Sequence, residues 1–169
     1  MRTTLCLVLM LVALGCAEGT GSSGGTMSLV SSEGDYVPEL AMVDLVNRTR
    51  AEYKLPALNW NNSLARVAWG HSKDMFANRF FSHESPATGT MVDRVKRAGI
   101  RYRRVTENIH WASAPWTMEE HIRHAHVNLL NSPGHRKNIL DRDVTDIGIG
   151  FYWKGRELFV TQLFARFPL

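Results

Sequence analysis

Three residues in this chain pair a reactive side chain with a place where a regular element gives way to a loop: His83 in FSHESP, Glu107 in TENI and His135 in SPGHRKNIL. Two imidazoles and a carboxylate are groups that move protons near neutral pH or hold a divalent ion. The ends of helices and strands are where scaffolds present such side chains. Each residue alone also has a plain structural reading, as an incidental surface histidine or a glutamate capping a turn. The corner before His135 is the sharpest signal. A helical pattern, MEEHIRHAHVNLL, runs into Ser132-Pro133-Gly134, where proline and glycine end the helix and fix a turn. Such a corner orients His135 toward the strand end from which Glu107 emerges.

Other polar residues carry less. His121, His124 and His126 fall on that same helix with no carboxylate spaced to close a ligand set, and they read as solvated or groove-lining. His71 sits on an apolar stripe and reads as a satisfied core histidine. Between Arg94 and Arg104 stand six basic residues with Asp93 as the only nearby acid, which reads as a solvated face. Its functional alternative is an anionic partner, either lipid headgroups or cell-wall polymer. A net charge of +4 is mild and does not by itself argue for nucleic acid, and no recognition motif is present. No serine, cysteine or paired-carboxylate nucleophile constellation is visible.

The elements that must position these residues can be traced along the chain. Its 169 residues suit one domain. Arg2 and the apolar run LCLVLMLVAL, ending in Gly15-Cys16, predict a signal peptide over 1–15, too short to span a bilayer. The ending resembles a lipobox, so Cys16 is the expected lipidation site of a bacterial lipoprotein; plain secretion is the alternative. Residues 16–37, rich in Gly and Ser, read as a lipid-anchored flexible linker. The domain proper, 38–169, contains no cysteine and must be held by packing.

Pro38 opens a helix, Asn61-Asn62 cap a second, and Thr90 with Asp93 forms a capping box for a third that ends at Gly99. IRYRRVTENIHW alternates as a strand does, and Thr117 with Glu120 opens the helix that meets the corner. DIGIGFYW and ELFVTQLFARF flank Lys154-Gly155-Arg156 as a hairpin. Helices first and strands later predict an α+β fold.

Five stretches in this order resemble the CAP superfamily (cysteine-rich secretory proteins, antigen 5 and plant pathogenesis-related proteins) in its cysteine-free, SCP-like bacterial form. They are LVNRTRAEYKLPALNWNNSLARVAWGHSKDM, FFSH, ENI, NSPGHRKNIL and IGIG. The resemblance implies a three-layer α-β-α sandwich with a central antiparallel sheet and a cavity lined by two histidines and two glutamates. His83, Glu107 and His135 match three of those positions, while Ser132 stands at the fourth. The implied ligand is Zn²⁺ or another divalent cation, for which two imidazoles, one carboxylate and an open position are suited.

Two functions are expected. The first is an extracytoplasmic, membrane-tethered module whose cleft binds metal, lipid or a wall component. The second is a hydrolase acting on peptide or cell-wall substrate through metal-bound water or Glu107 as base. The missing nucleophile constellation favours binding. The sequence leaves the oligomeric state open.

Overall fold

The computed structural model describes residues 37–168. The expected signal peptide, the tether and Cys16 lie outside the described residues. Helix α1 (Pro38–Glu52) has its proline in the first turn, where no amide hydrogen is needed. Next come β1 (Asn59–Trp60), α2 (Asn62–Ala77), α3 (Met91–Arg97), β2 (Arg104–Ser113), α4 (Met118–Asn131), α5 (Pro133–Ile139), β3 (Asp146–Lys154) and β4 (Glu157–Arg166). Asn61 caps α2 by accepting from the amides of Ser63 and Leu64. Both expected capping boxes form, at Thr90/Asp93 and at Thr117/Glu120. Gly99, past the end of α3, takes the left-handed φ of +71°.

The sheet runs β1-β3-β4-β2. β2, β3 and β4 pair antiparallel, with Gly155 at φ +64° in the β3–β4 turn. β1 adds a two-residue parallel edge beside β3. The register sorts every side chain to one of two helical layers. Ile147, Ile149, Phe151, Val160 and Phe164 meet α1, α4 and α5 in the main core. Leu163 and Ala165, on the other face, meet α2 and α3. The product is an α-β-α sandwich whose central sheet is antiparallel apart from its short edge.

The IGIG stretch shows how residue type builds this. Its isoleucines fill the main core, while Gly148 and Gly150 point at α2. A Cβ on Gly148 would stand 2.2 Å from the Ala65 nitrogen, and one on Gly150 would stand 1.9 Å from the Trp69 nitrogen. Only glycine lets the helix lie this close to the strand.

One expectation is corrected here. Pro133 and Gly134 do not simply end a helix; they begin another. Ser132 is at once the C-cap of α4 and the N-cap of α5, and Pro133 occupies the first turn of α5. Gly134 has an ordinary helical conformation with open space where a Cβ would be. Fully buried Arg50 of α1 holds the far end of α5, donating to the carbonyls of Ile139 and Asp141 at 2.8 Å each.

Candidate functional site

Glu107 is the centre of the site. It lies on β2, directly opposite Leu163, and therefore faces the α2/α3 layer. Its side chain is almost fully buried, and both carboxylate oxygens are engaged. Arg94 Nη2 of α3 donates to Oε2 at 2.6 Å, while His83 Nδ1 lies 2.9 Å from Oε1. An ionised carboxylate only accepts, so the hydrogen resides on Nδ1, and Nε2 of the half-exposed His83 is left for the cleft. A charge buried this deeply needs such partners, because desolvation would otherwise cost several kcal/mol.

Arg94 does more than neutralise Glu107. Its Nη1 donates to the carbonyls of His83 (3.1 Å) and Gly89 (2.8 Å), so one guanidinium fixes both the carboxylate and the loop carrying His83. The same loop is held from below. The Ser85 hydroxyl, on a 2% exposed residue, donates to Asp74 at 2.5 Å and accepts from the amides of Ala87 and Thr88. Against desolvation, the largest single effect, hydrogen bonds from the side chains of Ser85, Asn78 and Thr88 hold the Asp74 carboxyl below its usual range. Gly89, at φ +70°, closes the loop against Asp93.

His71 completes the group. It is fully buried on α2, its Nε2 is 3.0 Å from the Ser82 carbonyl and 4.0 Å from Glu107 Oε1, and its Nδ1 has no partner. Burial lowers its pKa from the ordinary histidine value, against the opposing pull of Glu107. A cleft of about 380 Å³ opens above the pair, lined by His83, Glu84, Thr90, Met91, Val92 and Glu107.

His135 occupies a different position. It is on the first turn of α5, in the helical layer across the edge strand from Glu107. Two asparagines hold it there. Fully buried Asn108 donates to the His135 carbonyl at 3.1 Å, and Asn138 donates to the Asn108 side chain at 2.8 Å and to the Glu107 carbonyl at 3.1 Å. Burial and the nearby charge of His83 both lower the His135 pKa, so the two rings sense each other around the sheet edge. The half-buried Ser132 makes no capping hydrogen bond.

The structure therefore joins His83 to Glu107 directly and places His135 beside them without a shared contact. Sequence reasoning missed Arg94, Asn108 and Asn138. Arg94 was read as part of a solvated basic face, yet it is 6% exposed. Its signal was spacing: it sits one turn after the Thr90 cap, on the side of a short helix that faces the sheet. Asn108 and Asn138 lay within the quoted ENI and GHRKNIL stretches without being singled out.

The donor set bears on the implied metal. Both oxygens of Glu107 are taken, and a guanidinium 2.6 Å away opposes a second cation. Among the described residues, no three His, Cys, Asp or Glu side chains form a group that could hold an ion. As placed, His83, Glu107 and His135 do not fit a three-donor metal centre.

The sandwich, with a His–Glu pair beneath a cleft at its edge strand, is the architecture of a known class. The family model described as the cysteine-rich secretory protein family, CAP, matches residues 43–164. The chain belongs to this family. It is 37% identical over 139 residues to the uncharacterized protein YkwD of Bacillus subtilis, covering 82% of this chain and 50% of that protein. It is 36% identical over 114 residues to the uncharacterized membrane protein YlbC of the same organism, covering 66% of this chain and 31% of YlbC. An SCP-domain extracellular protein of Bacillus anthracis superposes with a TM-score of 0.65 at 40% identity, over 76% of this chain and 40% of that one. The chain thus spans half or less of the length of these relatives.

Proposed function

We propose that this protein is an extracytoplasmic binding module whose His83/Glu107 cleft receives an amphiphilic ligand of the cell envelope. The observation that carries this reading is the state of Glu107. A carboxylate held by Arg94 at 2.6 Å and by His83 at 2.9 Å, one bond to each oxygen, is placed to orient the imidazole. It fixes the His83 ring so that Nε2 faces the cleft, while Met91 and Val92 supply an apolar wall. A cleft of about 380 Å³ with one fixed polar point and apolar sides suits a modest ligand with a polar head and an apolar body. Lipid and wall fragments have that form.

The setting follows from the N-terminal sequence. Cys16 is the proposed lipid anchor to a bacterial membrane, with secretion as the alternative. The extracellular description of the B. anthracis structure and the membrane description of YlbC agree with a place outside the cytoplasm. The exposed members of the basic run, such as Lys96, Arg97 and Arg101, are available to anionic headgroups or wall polymer.

The hydrolase reading retains one point in its favour. A buried carboxylate behind an imidazole is also how a general base is oriented. The test separates the two. Full-length protein and His83→Ala are sedimented with phosphatidylglycerol vesicles and with insoluble peptidoglycan, and the supernatants are assayed for released fragments. Binding without release, weakened in His83→Ala, supports the module. Release abolished by His83→Ala replaces it with the hydrolase, and equal sedimentation of both proteins without release removes the cleft from function.

A further inference from the structure

On the opposite face of β2 from Glu107 lies a second group of imidazoles. His110 points toward α4, and its ring centroid stands 5.9 Å from that of His124. Trp116, between β2 and α4, packs against His124 at 4.3 Å and against His121 at 5.2 Å. His121 is one turn before His124 on α4, so the two share a side of the helix. The residue is 1% exposed, and neither ring nitrogen makes a hydrogen bond. The Ala114 carbonyl is near enough to favour its protonated form without meeting hydrogen-bond geometry. Nε2 of His110 is likewise buried and unpartnered.

Three buried imidazole nitrogens have no partner among the described residues, which leaves them open to a water or an ion. Among the described residues no carboxylate forms an ion pair with these rings, although Glu120 is near enough to favour the protonated form of His121. Burial, followed by the mutual effects of His124, His135 and His121, holds the His110 pKa down at about 4.

We propose that His110 and His124 form the two-imidazole nucleus of a divalent transition-metal site, with water completing the coordination and His121 as the third ring within reach. Two rings sharing one ion through bonds of ~2.0–2.1 Å have centroids roughly 5 Å apart. Closing the observed 5.9 Å asks for a small turn of His124, which is exposed and leans on Trp116, and for release of its ring from the Asn128 side-chain amide 3.2 Å from Nδ1. That turn is what the site requires, since no three donors stand ready-assembled among the described residues. An all-imidazole set favours Cu²⁺, followed by Zn²⁺ and Ni²⁺, over oxygen-seeking Mg²⁺ or Ca²⁺. The site is distinct from the His83/Glu107 cleft, which lies in the other helical layer beside a guanidinium.

The experiment is calorimetric titration of Cu²⁺, and then Zn²⁺, into the full-length chain stripped of metal. Tryptophan fluorescence is followed in parallel, because Cu²⁺ bound at His124 quenches Trp116. Wild type is expected to bind, and His124→Ala to lose at least tenfold in affinity together with the Trp116 quench. His124→Ala removes an exposed side chain and leaves the fold in place; His110→Ala should reproduce its effect. His83→Ala is expected to bind as wild type does. Absence of Cu²⁺ and Zn²⁺ binding in wild type overturns the site. So does undiminished binding in His124→Ala, or a loss confined to His83→Ala.

Discussion

The two faces of strand β2 treat buried polar groups in opposite ways. On the face toward α2 and α3, Glu107 has a partner for each oxygen, and the arginine that serves it also ties down the loop of His83. On the face toward α4, buried His121 has both ring nitrogens without a partner among the described residues, and partly buried His110 has its Nε2 so. A carboxylate cannot be buried without a counter-charge, so its surroundings are built as a closed network. An imidazole can be buried simply by giving up its proton, so its surroundings remain open to an added ligand. One face thus has a fixed charge, and the other has a set of neutral donors.

The largest effect expected from breaking this contrast is Arg94→Ala. It leaves Glu107 charged, buried and half-partnered, for which a loss of about 3–5 kcal/mol is expected, read from denaturant midpoints. Arg94→Ala as stable as wild type would show that the network is not closed.

The next effect is on the open face and depends on pH. Folded His110 is held near 4, and His121, His126 and His135 are also below the ordinary value, chiefly by burial. Below pH 6.5 the unfolded chain takes up protons before the folded one does. Stability is therefore fully present above pH 6.5 and lost as pH falls toward 4. For His110 alone, the loss reaches about 3 kcal/mol at the bottom of that window. Urea midpoints from pH 7.5 to 4.5 should fall in wild type and fall less in His110→Phe; parallel curves would locate the acid sensitivity elsewhere.

Asn138→Ala sharpens the comparison where the faces meet. It strips a donor from the Glu107 carbonyl and from Asn108, at an expected cost of about 1–3 kcal/mol. It should also shift the His135 ring resonances by NMR, since α5 loses its latch; an unmoved His135 would show that the Arg50 anchor suffices.

The smallest expected stability change is His83→Ala. A half-exposed imidazole contributes under about 1 kcal/mol, because Arg94 still partners Glu107. A melting temperature within a few degrees of wild type, with cleft binding lost, is the expected pair of results.

Much of this was legible in one dimension. Capping boxes at Thr90 and Thr117 are local hydrogen bonds between residues three apart, so sequence alone marked where α3 and α4 begin. DIGIGFYW and ELFVTQLFARF flanking Lys154-Gly155-Arg156 marked the β3–β4 hairpin without knowledge of what each face meets. His83 and Glu107 are both expected at element ends; Glu107 instead lies inside β2 (Arg104–Ser113), and the two do touch. His121 and His126, read from sequence as solvated or groove-lining, are 1% and 7% exposed. Burial of a histidine depends on the opposing layer: His126 reaches the Thr49 hydroxyl of α1 at 2.9 Å, 77 residues away in the chain.

What the sequence determined by itself, then, is whatever short-range chemistry decides: caps, the proline start of α1, the glycine turns, the hairpin and the identity of the acidic and imidazole groups. What only the tertiary structure decided is which of those groups share a face. Arg94 became the partner of Glu107 because α3 packs over β2, and His135 went to the other side because Pro133 starts a new helix instead of closing a corner. Such pairings are set by layer packing across many residues. Their energies come from desolvation and buried charge, which no local pattern of residues records.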